Sequence, residues 1–307
     1  MTPLPSAFSQ LDRRAVPAIG LALTTLLWGY NFIVMKQGLQ HASPVAFATY
    51  RFGIAAISLL PVMFWLRKPL LVPRHQWLPL IALGLMLTLT FWLVMQALSV
   101  GHAGKTSILV YAMPLWVVLL SRVFLHEHLR QWQLIAIGLA IVGLIVLLDP
   151  RHSVGSWTSS LLALAGGMVW AASVVLVKIM QRRDRLPMLT LTFWQMTFGF
   201  VGFATLLALG PRGEVAWSYG FAALIGYSGI LATAVASVLF YFALERMPAG
   251  LAGIGTLATP TVSILAAWIQ LGERPTAAEA VGMAFIAIAL IALSLVPLWF
   301  IGRQNRF

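Results

Sequence analysis

Runs of about 20 apolar residues, each long enough to cross a bilayer core at about 1.5 Å per residue, recur along this chain from Ala18 to Phe300 with short polar breaks between them. A water-soluble fold would have to expose large apolar patches to carry that pattern, so lipid is the solvent for most of the surface. Composition agrees: of 307 residues, 60% are hydrophobic and 9% charged, and mean hydropathy is +0.91. The runs predict transmembrane helices at Pro17–Lys36, Pro44–Leu66, Trp77–Leu98, Gly104–Phe124, Gln131–Leu148, Ser159–Met180, Pro187–Leu209, Trp217–Ala243, Ala249–Leu271 and Ala277–Ile301. The first run leads straight into further spans and lacks a small-residue cleavage site, so it reads as a retained helix. The expected fold class is an all-α membrane protein of ten transmembrane helices, with no soluble domain.

The two halves match. Trp28 falls on Trp170 and Lys36 on Lys178; further along, Ala97-Leu98 falls on Ala243-Leu244, Gly104 on Gly250, Pro114 on Pro260, Leu125 on Leu271 and Glu127 on Glu273. Residues 1–150 and 151–307 therefore read as two copies of one five-helix unit. An odd number of spans per unit forces the second copy to insert upside down. Loop charge tests this independently. With both termini in the cytoplasm, the inner side carries Arg13, Arg14, Arg67, Lys68, Arg74, Arg122, Arg130, Arg182, Arg183, Arg185, Arg246, Arg303 and Arg306, against Lys36, Lys105, Arg151, Arg212 and Arg274 outside. Equivalent loops also differ: Arg67, Lys68 and Arg74 lie between helices 2 and 3, whereas only Arg212 lies between helices 7 and 8. The net charge of +12 is thus spread over short loops as a topological signal, which argues against a nucleic-acid partner.

Catalysis would need nucleophiles, metal ligands or acid-base pairs gathered at reachable depth. The carboxylates Asp12, Glu127, Asp149, Asp184, Glu214, Glu245, Glu273 and Glu279 all fall in loops or at span ends, and there is no cysteine. His126-Glu127-His128 reads as a solvated loop rather than a metal site. No cofactor, metal or catalytic residue is expected. A proton relay through a mid-membrane carboxylate is disfavoured for the same reason.

Large aromatics at mid-span are more informative: Trp28 in helix 1, Trp92 in helix 3, Tyr111 in helix 4 and Trp170 in helix 6. Tryptophan and tyrosine ordinarily sit at the membrane interface, so four deep ones suggest either core packing or a cavity lined by aromatic faces. Gly104, Ser107, Tyr111 and Pro114 share one face of helix 4, and Asn31 is the deepest amide. A second polar stripe, Thr233, Ser237 and Tyr241, runs down helix 8. The equivalent prolines Pro114 and Pro260 each remove a mid-helix hydrogen bond, so kinks are expected beside the centre. Helices 5 and 10 are nearly pure aliphatic and read as scaffold facing lipid or a second protomer. Lys36, Lys105 and Lys178 are expected to snorkel to the interface, whereas Arg51 lies about 10 Å inside helix 2 and is harder to dismiss.

The runs QALSVGHAGKTSILVYAMPLWVVLLSRVFLHEHL and FALERMPAGLAGIGTLATPTVSILAAWIQLGERP resemble the repeated EamA module of the drug/metabolite transporter superfamily. That resemblance covers essentially the whole chain. It implies a ten-helix inverted-repeat carrier of the bacterial inner membrane, with its cavity between the halves and small metabolites as cargo. Within the superfamily, the aromatic amino acid exporters look most similar, which makes Trp92, Tyr111 and Trp170 substrate-contact candidates; Trp28, Asn31 and Ser107 complete the candidate set. Alternatives are a carrier of other metabolites, drugs or organic anions, then a lipid scramblase or membrane enzyme.

Overall fold

The computed structural model describes residues 7–126, 131–148, 157–210, 214–246 and 258–304. Its helices are α1 (Ala7–Gly38), α2 (Pro44–Trp65), α3 (Trp77–Val100), α4 (Ala103–Val110), α5 (Met113–Phe124), α6 (Gln131–Leu148), α7 (Trp157–Arg183), α8 (Met188–Leu209), α9 (Tyr219–Gly226), α10 (Ala236–Arg246), α11 (Thr259–Leu271) and α12 (Ala277–Gln304). A π-helical segment, Tyr227–Val235, joins α9 to α10 without a break, and a 3-10 turn, Arg74–Gln76, leads into α3. Among the described residues there is no strand, and these helices follow the ten expected spans: α4 with α5 makes the fourth, α9 through α10 the eighth, and α11 is the described part of the ninth.

Alternate helix ends meet at two faces. One carries Arg67, Lys68, Arg74, Arg182, Arg183 and Arg185 and is called the basic face; the other, with Lys36, Lys105 and Arg274, is the sparse face. Helix partners repeat when the halves are exchanged. α7 packs on α3 and on α4–α5, just as α1 packs on α10 and on α11; α2 pairs with α8 and α6 with α12. That is the contact pattern of an inverted repeat. Apolar side chains on the outer surfaces, such as Ile57, Phe64, Leu85, Ile135, Ile145 and Ile269, are exposed, as lipid contact requires. The aliphatic α6 and α12 turn only their outer sides that way. Their inner sides pack on each other, with Gly143 against the carbonyl of Gly282.

Small residues set the closest crossings between halves. A Cβ on Gly29 of α1 would stand 2.8 Å from the Thr259 carbonyl and 2.6 Å from Val262 Cβ, both on α11. Gly29→Ala is therefore expected to destabilise the protein by about 1–3 kcal/mol, whereas Gly138→Ala in α6, where nothing lies within 4 Å, gains about 0.5–1 kcal/mol. Denaturant titration of the purified variants checks both signs.

The halves also meet at the basic face. His75 and Gln76 donate to Asp184 Oδ2, Thr190 donates to the Pro69 carbonyl, and Trp194 Nε1 to that of Leu70. The hydrogen bond from His75, then that from Gln76, holds the Asp184 carboxyl below its ordinary value. A depressed carboxylate contributes stability above the unfolded value of about 3.9 and loses it as pH falls through the folded value. Melting temperature should accordingly fall less steeply below about pH 4 in Asp184→Asn than in the natural sequence.

Candidate functional site

Helix 4 is broken rather than kinked. The Tyr111 amide closes α4 on the Ser107 carbonyl, the chain turns through Tyr111 and Ala112, and α5 restarts with Pro114 in its first turn, where no N–H is needed. In an unbroken helix the nitrogen at 114 would bond Val110 O; with proline there, that carbonyl lies against Gly167 of α7, whose missing Cβ permits the approach. Pro260 likewise sits in the first turn of α11. The break in helix 4 therefore meets α7, and the start of α11 meets α1, at the centre.

Two of the expected aromatics come together there. Tyr111, buried, meets the half-buried Trp170 edge to face at 5.5 Å between ring centroids, and Phe32 of α1 packs on Tyr111 at 6.1 Å. Trp92 packs instead against the buried cluster that includes Phe52, Leu87, Phe193 and Phe203 between α2, α3 and α8. Trp28 pairs with Phe240 of α10 at 5.3 Å. Asn31 is buried, and its Oδ1 has no hydrogen-bond partner among the described residues. Ser107 is fully buried and its hydroxyl donates to the Gly104 carbonyl at 2.7 Å, so its polar group is already satisfied by its own helix.

Arg51, named in the sequence but left outside the candidate set, occupies the seam between halves. Its residue surface is 5% exposed; Nε donates to Thr233 Oγ1 of the π segment and Nη1 to Met35 Sδ of α1, both at 3.0 Å. The guanidinium lies 4.4 Å from the Phe91 ring centroid and 5.1 Å from that of Phe52. Thr233 in turn donates to the Ser228 carbonyl at 2.6 Å, a five-residue step that exists because this stretch is π-helical. Of the polar stripe Thr233, Ser237 and Tyr241, the first residue lies in this segment, and no residue type announces it. Phe32 of α1 touches Tyr111, and Met35, three residues on, accepts from Arg51, so one helix carries contacts to both the aromatic pair and the cation.

The lysines correct the sequence reading. Lys36 does not snorkel: Nζ donates to the carbonyls of Leu98 and Gly101 at 2.6 Å, closing the end of α3. Lys105 is buried and paired with Glu279 Oε1 at 3.1 Å, while Glu279 Oε2 and Thr276 form a reciprocal cap on α12. Gly272, at φ +66°, turns the chain so that Glu273 Oε2 accepts from the amides of Ala103 and Gly104 at the start of α4. Gly104 and Lys105 of the first half and Glu273 and Glu279 of the second line a small recess at the sparse face. Lys178 is exposed, as expected for a lysine that reaches for water. Among the described residues no cluster could hold a metal ion; Glu127 and His128 lie outside them.

Comparison with known proteins points one way. The EamA-like transporter family matches the chain twice, over residues 16–149 and 157–295. The "Probable amino-acid metabolite efflux pump" of Salmonella typhimurium (strain LT2) is 27% identical over 283 residues, covering 87% of this chain and 91% of that protein. The "Probable terminal-alkyne amino-acid exporter" of Streptantibioticus cattleyicolor is 25% identical over 294 residues, covering 93% and 95%. A crystal structure shares the fold with a TM-score of 0.65 at 19% identity, covering 92% of this chain and 97% of its own.

Proposed function

The chain belongs to the EamA-like transporter family, and from that premise we propose that it exports amino acids, aromatic ones by preference, across a bacterial-type inner membrane by alternating access. It is a multi-pass membrane transporter of small molecules and not an enzyme. The units exchanged in the cycle are residues 1–150 and 151–307, with both termini in the cytoplasm, a placement that the excess of arginine and lysine on the basic face supports.

The observation that carries the substrate reading is the Tyr111–Trp170 pair at the broken helix, packed on Phe32 of α1, the helix that also bears the unpaired Asn31 amide oxygen and accepts from Arg51 through Met35. An aromatic side chain would stack on that pair while the polar groups meet the zwitterion. Relatives named as amino-acid efflux pumps and exporters support the same class. Alternating access draws on the exchangeable helix pairing and on the cross-half bonds at each face, which can break in turn.

Counterflow of labelled phenylalanine into liposomes holding the purified protein tests this. Uptake well above empty vesicles, competed by tryptophan and tyrosine, is the expected result. Uptake equal to empty vesicles for every amino acid would overturn it.

A further inference from the structure

We infer that Arg51 is the anchor for a substrate carboxylate, with Asn31 Oδ1 the acceptor for the ammonium beside it; this rests on the transporter reading above. A guanidinium at this depth is costly, and such residues ordinarily pair with an acid or serve the transport path. Among the described residues no carboxylate faces Arg51. Its described partners are a hydroxyl, a thioether and two aromatic faces, none of which carries the negative charge that would balance it.

The cation is nonetheless held firmly. Thr233 fixes Nε from the second half, Met35 fixes Nη1 from α1, and Phe91 supports the plane from below, so the remaining N–H groups of the fork have no described partner. A planar fork with free donors is the geometry that receives a carboxylate in two parallel hydrogen bonds. Asn31 stands one helical turn before Met35, about 6 Å along α1, and its buried Oδ1 is an acceptor without a donor. Cation and acceptor thus offer complementary poles to an α-amino acid, and the Tyr111–Trp170 pair, which meets the same α1 through Phe32, offers a surface for the side chain. Because Arg51 bonds across the seam, occupancy by a carboxylate would also be felt by the π segment of the second half.

The test uses the full-length protein in detergent and thermal stabilisation by a ligand panel: phenylalanine, 3-phenylpropionate (no ammonium), phenethylamine (no carboxylate) and aliphatic carboxylates. The natural sequence should be stabilised by the carboxylates and not by phenethylamine. Arg51→Gln should weaken carboxylate binding about 10- to 100-fold, Arg51→Lys should lie between, and Asn31→Leu should weaken phenylalanine but not 3-phenylpropionate. Phenethylamine binding as well as phenylalanine, or an Arg51→Gln protein with unchanged preference, overturns the inference. Should Arg51→Gln fail to fold, the ligand panel on the natural sequence and the Arg51→Lys affinities decide it. Stabilisation by aliphatic carboxylates alone would uphold the Arg51 anchor while refuting the aromatic amino acid reading.

Discussion

Replacing Lys105 by methionine is expected to cost about 3–5 kcal/mol of stability, the largest loss of any single change at the sparse face. The reason is what remains. Glu279 is 2% exposed at its side chain and Lys105 7%, so removing the ammonium withdraws a cation from a carboxylate with little water to solvate it. Glu279→Gln should cost less, because the amide keeps the cap on Thr276 and only Lys105 is left unpaired. Replacing both at once, Lys105→Met with Glu279→Gln, should recover most of the loss. A double-mutant cycle on denaturant midpoints would then read a coupling of about 1–3 kcal/mol. Single variants as stable as the natural protein would show that water already screens the pair. The pair has a second consequence, since Lys105 belongs to the first half and Glu279 to the second. Any movement that opens the sparse face must separate them, so the double variant should cycle faster in counterflow even where its stability is restored.

How far the sequence carries is visible in the same residues. The spans were legible because a lipid-crossing helix needs length and apolarity together, and these can be counted directly; Trp77–Leu98 and Gln131–Leu148 emerge within two residues of α3 and α6. Inversion was legible because equal loops of unequal charge require opposite faces. Pro114 signalled an irregularity, but its form was not legible: the ring disfavours helical backbone in the preceding residue, and the chain resolves this by ending α4 at Tyr111 and starting afresh. The Lys105–Glu279 pair was hidden by a separation of 174 residues, while the local default for an interfacial lysine is to reach for water. The π segment was hidden differently, since Tyr227–Val235 carries no residue that dictates its winding. For Trp92 the depth was legible and the direction was not. A helix rotated by one residue turns a side chain by about 100°, enough to send it to the α2–α8 cluster instead of the Tyr111–Trp170 pair.

That difference in direction yields the strongest functional contrast. Trp170→Ala and Tyr111→Ala should each lower kcat/KM for phenylalanine about 10- to 100-fold in counterflow, because each removes a ring from the pair and leaves its partner without its edge-to-face contact. Trp92→Ala should change kcat/KM less than about three-fold and act on stability instead, since its ring packs against the buried cluster of α2, α3 and α8. The aromatic substitutions Trp170→Phe and Tyr111→Phe separate packing from chemistry. Both keep a ring in place, so both should retain most transport of phenylalanine. Tyr111→Phe also removes a buried hydroxyl, so any loss beyond that of Trp170→Phe measures what that polar group contributes. If Trp92→Ala proves as damaging to kcat/KM as Trp170→Ala while the folded fraction is unchanged, the transport path runs between α2, α3 and α8, and the Tyr111–Trp170 pair is core.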